Sequence, residues 1–167
     1  MTSPQPALLI SDACVLIDYC KADCHDVLAL ASRRFLPIRV PRIVLDEVRQ
    51  LSEDDARNLG IGVLEVTLLQ LQEAAVRGGP SRQDKLCFVT ARDHGGAVWS
   101  NDKRLRKICR ECGVRHYWGL EVLLNLAAEK HLDKKKARDA AERIHKVDPH
   151  YVSKTVVTQF MAKLDRL

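Results

Sequence analysis

Residues 7–20, ALLISDACVLIDYC, place an unbroken apolar run directly before Ser11 and Asp12 and follow it with an apolar-rich segment of helical length. A short apolar run without polar alternation is what a strand buried on both faces needs, and such strands belong to parallel sheets covered by helices. The arrangement returns in GGAVWSND, residues 95–102, where Ser100, Asn101 and Asp102 close the run. In open parallel sheets, chemistry collects beyond the carboxyl ends of the strands, near the point where strand order reverses. Asp12 and Asp102 both fall at such ends, and each is equally suited to cap the helix that follows it.

Working outward, strand and helix patterns alternate. Strands are expected in FLPIRVP (35–41), GVLEVT (62–67) and VRHYW (114–118), and helices over 13–20, 26–34, 41–51, 68–77, 81–92 and 103–112. SEDDARNLG (52–60) reads as a polar connection, and Gly78-Gly79-Pro80 breaks the preceding helix. Helices at about 119–129, 134–145 and 153–165 finish the chain. The order predicts an α/β fold with a central parallel sheet. Its length suits one domain over residues 1–167, with a core at about 7–118 and a C-terminal helical extension at about 119–167.

The composition, 46% hydrophobic and 29% charged, is that of a soluble globular protein, and no apolar run approaches the roughly 20 residues a bilayer span requires. The opening MTSPQPALLISDA lacks the basic and long apolar regions of a secretion signal, so a cytoplasmic location is expected. The six cysteines read as reduced thiols. Cys20 and Cys24 with His25, and Cys109 and Cys112 with His116, have spacings that a zinc site would use. The second pair, however, lies in KRLRKICRECG, which reads as a basic helix ending at Gly113.

The net charge of +5 is unevenly spread. Residues 1–80 hold 8 Lys and Arg against 11 Asp and Glu, and residues 81–167 hold 19 against 11, which gives −3 and +8. The basic residues gather at Lys103, Arg104, Arg106, Lys107, Arg110 and Arg115, and again at Lys134, Lys135 and Lys136. Such a field suits a polyanion, although a pair of solvated helix faces would look the same.

Two further acids stand out. On a helix from Pro41, Glu47 shares a stripe with Val44, Val48 and Leu51, where an acid is costly unless paired or metal-bound. Asp84 shares a helix face with Cys87, Phe88 and Ala91, and Ser81-x-x-Asp84 also matches a capping box. Four acids delivered to one spot in a basic protein point to a divalent metal site and phosphodiester chemistry. An aspartyl phosphatase would want a D-x-D pattern after the first strand, and Cys14 stands at the second acid's place.

The pieces LLISDACVLID, VPRIVLDEV, SRQDKLCFVTA and AVWSNDKRLRKICRECGV, with the trailing GLEVLLNLAAEKHLD, resemble the PIN domain over about residues 7–133. This is the nuclease fold of VapC-type toxins and of several RNA-processing enzymes. The resemblance implies a three-layer α/β/α fold in which Asp12, Glu47, Asp84 and Asp102 bind one or two Mg²⁺ or Mn²⁺ ions. It implies endonucleolytic cleavage of RNA to a 5′-phosphate and a 3′-hydroxyl. Ser100, a hydroxyl residue before the last acid, is implied to position water or a carboxylate, with Asn101 a weaker candidate. Where some relatives carry a further acid, this chain has Lys103-Arg104-Leu105, which weakens the expectation of a second metal. Lys103, Arg104, Arg106 and Lys107 are the candidates for holding the phosphate backbone. An antitoxin partner and a homodimer are implied as well, with Leu16, Ile17 and Tyr19 as groove, dimer or core residues. The alternatives are a catalytically silent module that binds RNA or protein, and an RNA-maturation nuclease outside any toxin pair.

Overall fold

The computed structural model describes residues 4–76 and 78–167. Residues 1–3 of the opening segment, and Arg77 at the end of an expected helix, lie outside the described residues. Five short strands form one all-parallel sheet: β1 (Leu9–Ser11), β2 (Ile38–Pro41), β3 (Gly62–Leu64), β4 (Ala97–Trp99) and β5 (His116–Tyr117). Their spatial order is β3-β2-β1-β4-β5. Every residue of β1 and β4 is buried, as expected of strands covered on both faces.

The helices are α1 (Ala13–Lys21), α2 (His25–Arg34), α3 (Arg42–Leu45), α4 (Glu53–Asn58), α5 (Leu68–Ala74), α6 (Arg82–Asp93), α7 (Lys103–Glu111), α8 (Glu121–Ala128), α9 (Lys134–Val147) and α10 (Lys154–Asp165). Crossovers between parallel strands are right-handed as a rule, so connections running outward from β1 to β2 and back from β3 to β4 set their helices on opposite faces. Accordingly α6 lies across β1, β2 and β4 beside α5 and α7, whereas α1 and α2 pack under α9 and α8. The result is a three-layer α/β/α fold.

The C-terminal extension shares the core. Leu120, Leu123, Leu126, Ile144, Phe160 and Leu164 belong to the same buried cluster as Leu9, Ile10 and Trp99. Its first residue, Gly119, is fastened by its carbonyl, which accepts from the Tyr19 hydroxyl at 2.7 Å and from Trp99 Nε1 at 3.2 Å. The two rings stand edge to face with centroids 5.0 Å apart, so both polar tips of a buried aromatic pair are satisfied by one oxygen. Leu16 and Tyr19 are therefore core residues, and Ile17 packs partly buried against the same cluster. Among the described residues no helix is long and apolar enough to cross a membrane.

Two local expectations are corrected. The helix expected over 41–51 stops at Leu45. Val44, Val48 and Leu51 all reach the core, but through a turn and not along one stripe. Arg42 binds Glu53 at 2.7 Å and Glu65 at 2.5 Å, folding this segment against α4 and the end of β3. The polar connection SEDDARNLG contains α4, opened by a capping box in which Ser52 and Asp55 satisfy each other's amides. Ser52-x-x-Asp55 carried that signal in the sequence.

Candidate active site

Strands β1 and β4 are neighbours, with Ser11 in register with Trp99, and strand order reverses between them. The chain beyond both carboxyl ends therefore meets at the switch point. Asp12 is only 2% exposed. It caps α1, its Oδ1 accepting from the Val15 amide at 2.9 Å, while its Oδ2 accepts a short hydrogen bond from the Ser100 hydroxyl. Ser100, fully buried, accepts in turn from the Asp102 amide at 3.0 Å. Asp102 caps α7, its Oδ1 accepting from the amides of Arg104 and Leu105 at 2.7 and 3.3 Å. Capping and clustering are thus the same geometry: each aspartate is fixed by a helix N-terminus, and Ser100 ties the two together.

Asp84 enters from α6. The Ser81 hydroxyl caps this helix, accepting from the Asp84 amide at 3.1 Å and donating to Asp84 Oδ2 at 2.7 Å. Cys87 and Ala91 on the same face are buried against the sheet, and the Cys87 thiol donates to the Ser11 carbonyl at 3.7 Å. Glu47 departs from its expected place. It lies in the turn after α3 and is exposed, so the cost of an acid on a buried stripe does not apply to it.

The four acids still feel one another. Burial, opposed by the Ser100 and Val15 hydrogen bonds and reinforced by Asp84 and Asp102, pushes the Asp12 carboxyl up to about 7. Asp84 is raised by burial and by Asp102, against the pull of Ser81, and Glu47 is raised by partial burial and by Asp84. Burial also pushes the Cys87 thiol well up, with Asp12, Asp84 and Glu47 all adding to it. No Lys, Arg or His among the described residues lies within 4 Å of the carboxylates of Asp12, Glu47 or Asp84. Arg104 stands 3.7 Å from Asp102. Negative charge has been gathered with little built-in compensation.

The donor set is all carboxylate oxygen, with a hydroxyl behind it, and this fits a hard divalent ion such as Mg²⁺ or Mn²⁺ that keeps several waters. It is not a closed cage: among the described residues no three His, Cys, Asp or Glu side chains form a ready-made metal-binding group. The cysteines are free thiols. Cys20, Cys24 and Cys109 are buried in the core, while Cys112 is exposed at the end of α7.

Beside the acids stand Lys103 and Arg104, both exposed, and Arg106, half-buried. Lys107 is turned to its own helix, 3.8 Å from Glu111, and does not line the adjoining groove. Asn101 does more than turn the chain. Its Oδ1 accepts from the Gly119 amide at 2.8 Å, clasping the loop that carries Ser100 and Asp102 to the start of the extension. A pairing over 18 positions leaves no local sequence signal. No protein-family model and no curated protein sequence matches the chain.

Proposed function

We propose that this chain is a divalent-metal-dependent endoribonuclease of the PIN type, hydrolysing phosphodiester bonds of RNA in the cytoplasm. The observation that carries the reading is Asp12: a buried carboxylate at the switch point, held by Ser100, within the electrostatic reach of Asp84 and Asp102 and with no Lys, Arg or His among the described residues within 4 Å of it. Asp12, Asp84 and Asp102 would hold the ion, with Glu47 at the exposed rim. Bound Mg²⁺ or Mn²⁺ would supply the charge that lets these acids ionise together and the Lewis acidity that phosphodiester hydrolysis uses. Ser100 keeps Asp12 in one rotamer and fixes its distance from Asp102. The α1 and α7 N-termini stabilise both carboxylates in the charged form. Lys103 and Arg104 hold the phosphate backbone beside the acids.

The test is incubation of the purified protein with labelled single-stranded RNA in Mn²⁺ or in chelator, beside Asp12→Asn. Cleavage confined to wild type in Mn²⁺ is expected, and full activity of a folded Asp12→Asn protein would sink the reading. The silent-module reading draws on one observation, that all three inner acids already have capping or hydroxyl partners. An Mn²⁺ titration without heat would favour it. A toxin role further proposes an antitoxin partner, for which a small upstream reading frame encoding a DNA-binding protein is the mark. A homodimer has apolar surface available at the exposed Leu68 and Leu69 of α5.

A further inference from the structure

A groove of about 900 Å³ opens from the Asp102 corner of the site and runs across the start of α7 and Trp118 to the α9–α10 connection. One wall carries Lys103, Arg104 and Arg106, the other Tyr151 and Lys163. Among the described residues, Asp102 is the only acid in the lining. Among the described residues, no carboxylate lies within 4 Å of Lys103, Arg106 or Lys163. Arg106 Nε is buried without a hydrogen-bond partner. Cations left free along a groove are suited to a partner that brings its own negative charge.

The aromatic lining is presented, not buried. Tyr151 is 51% exposed, its ring edge-on to His150 at 4.8 Å. The turn that displays it is built: the Tyr151 amide bonds Asp148 Oδ1 at 3.3 Å, Val152 is fully buried, and His145 Nδ1 contacts the Val152 carbonyl at 2.6 Å. Trp118 lies partly open with the Lys163 ammonium 5.7 Å from its centroid. Aromatic faces between phosphate-binding cations are the arrangement on which an unpaired strand lays its bases, because bases in a duplex are already stacked and out of reach.

We infer that the C-terminal extension completes a single-stranded RNA track, which leads the strand from Tyr151 and Trp118, over Lys163 and Arg106, to the acids. The direction of cleavage chemistry rests on the nuclease reading; the track itself is a binding site and is read separately. Binding of a fluorescein-labelled single-stranded RNA oligonucleotide is followed by anisotropy in chelator, where no metal-dependent cleavage intrudes. Tyr151→Ala should weaken binding roughly 5- to 150-fold, with Tyr151→Phe near wild type. Lys163→Ala should lower the salt slope of log K by roughly 0.7. The triple change of Lys134, Lys135 and Lys136 to Ala, a larger loss of charge outside the groove, should weaken binding less than Tyr151→Ala. All three single variants change exposed side chains, and an unaltered thermal midpoint checks that they fold.

Wild-type affinity in Tyr151→Ala and Lys163→Ala would overturn the track, as would equal competition by duplex RNA or by polyglutamate, the latter marking an acidic protein as the occupant. The two readings separate cleanly. If Mn²⁺ elicits no cleavage while Tyr151→Ala still loses affinity, the track stands without the nuclease. If cleavage needs Asp12 while Tyr151→Ala binds normally, the nuclease stands without the track.

Discussion

Ser100 shows how much one hydroxyl can govern. Its proton goes to Asp12 Oδ2 and its lone pair takes the Asp102 amide, so a single buried atom fixes two acids from different strands. Ser100→Ala leaves an amide and a carboxylate oxygen without their shared partner in a fully buried place, at a cost of about 1–3 kcal/mol in stability. Residues that orient metal ligands typically change affinity or activity by roughly 10- to 100-fold when removed. On the proposed metal-dependent reading, Ser100→Ala should therefore weaken Mn²⁺ binding by about that factor in a calorimetric titration while the protein stays folded. Unchanged Mn²⁺ affinity would make Ser100 a purely structural residue. Glu47 is the counter-case, since its exposure makes it the least constrained of the four acids.

At the scale of elements, the site depends on a clasp between two connections. Asn101, in the β4–α7 loop, holds the Gly119 amide, while the Gly119 carbonyl is held by Tyr19 and Trp99. A methyl group on Gly119 would lie 2.7 Å from Asn101 Nδ2, so Gly119→Ala must push the amide off its bond. On the proposed nuclease reading, the expected result is slower RNA cleavage with little loss of secondary structure, measured by single-turnover rates and circular dichroism. A wild-type rate would show that the loop holds its shape without the clasp. The parallel sheet was legible because its central strands are continuous apolar runs ending in Asp12 and Ser100-Asn101-Asp102. Asp84 was legible from the helix face it shares with Cys87, Phe88 and Ala91, while Ser81 marked the cap of that helix. What was not legible depends on distant partners. Arg42 turns to Glu53 and Glu65 where α3 ends early, Glu47 lies exposed in the turn beyond, and the Asn101–Gly119 clasp has no periodicity to betray it. The capping box at Ser52 was present in the sequence, but the run of acids after it resembled a loop.

Across the whole molecule, the C-terminal helices are joined to the first helix of the core by buried acid as well as by apolar packing. Asp18 of α1 is 6% exposed, its Oδ2 has no hydrogen-bond partner, and it faces Asp148 at the end of α9. Burial first, then Asp148 and more distantly Asp12, push its carboxyl up to about 8, with Lys21 opposing. A carboxyl group whose folded value lies above its unfolded value holds its proton more tightly in the folded protein. The folded state then binds more protons between about pH 4 and pH 8, and stability falls as pH rises through that window. The contribution is complete below the unfolded value near 4 and lost once pH passes about 8. Asp12, raised to about 7, acts in the same sense one step lower. In chelator, the thermal midpoint of the wild type should therefore decline from pH 5 to pH 9. Asp18→Asn, which cannot ionise, should remove the upper part of that decline, so the variant gains on the wild type most at pH 9. For a chain of this size each kcal/mol moves the midpoint by roughly 2–4 °C, a difference that differential scanning fluorimetry resolves. A variant that runs parallel to the wild type at every pH would show that Asp18 ionises freely and that the α1–α9 seam carries no strain from its charge.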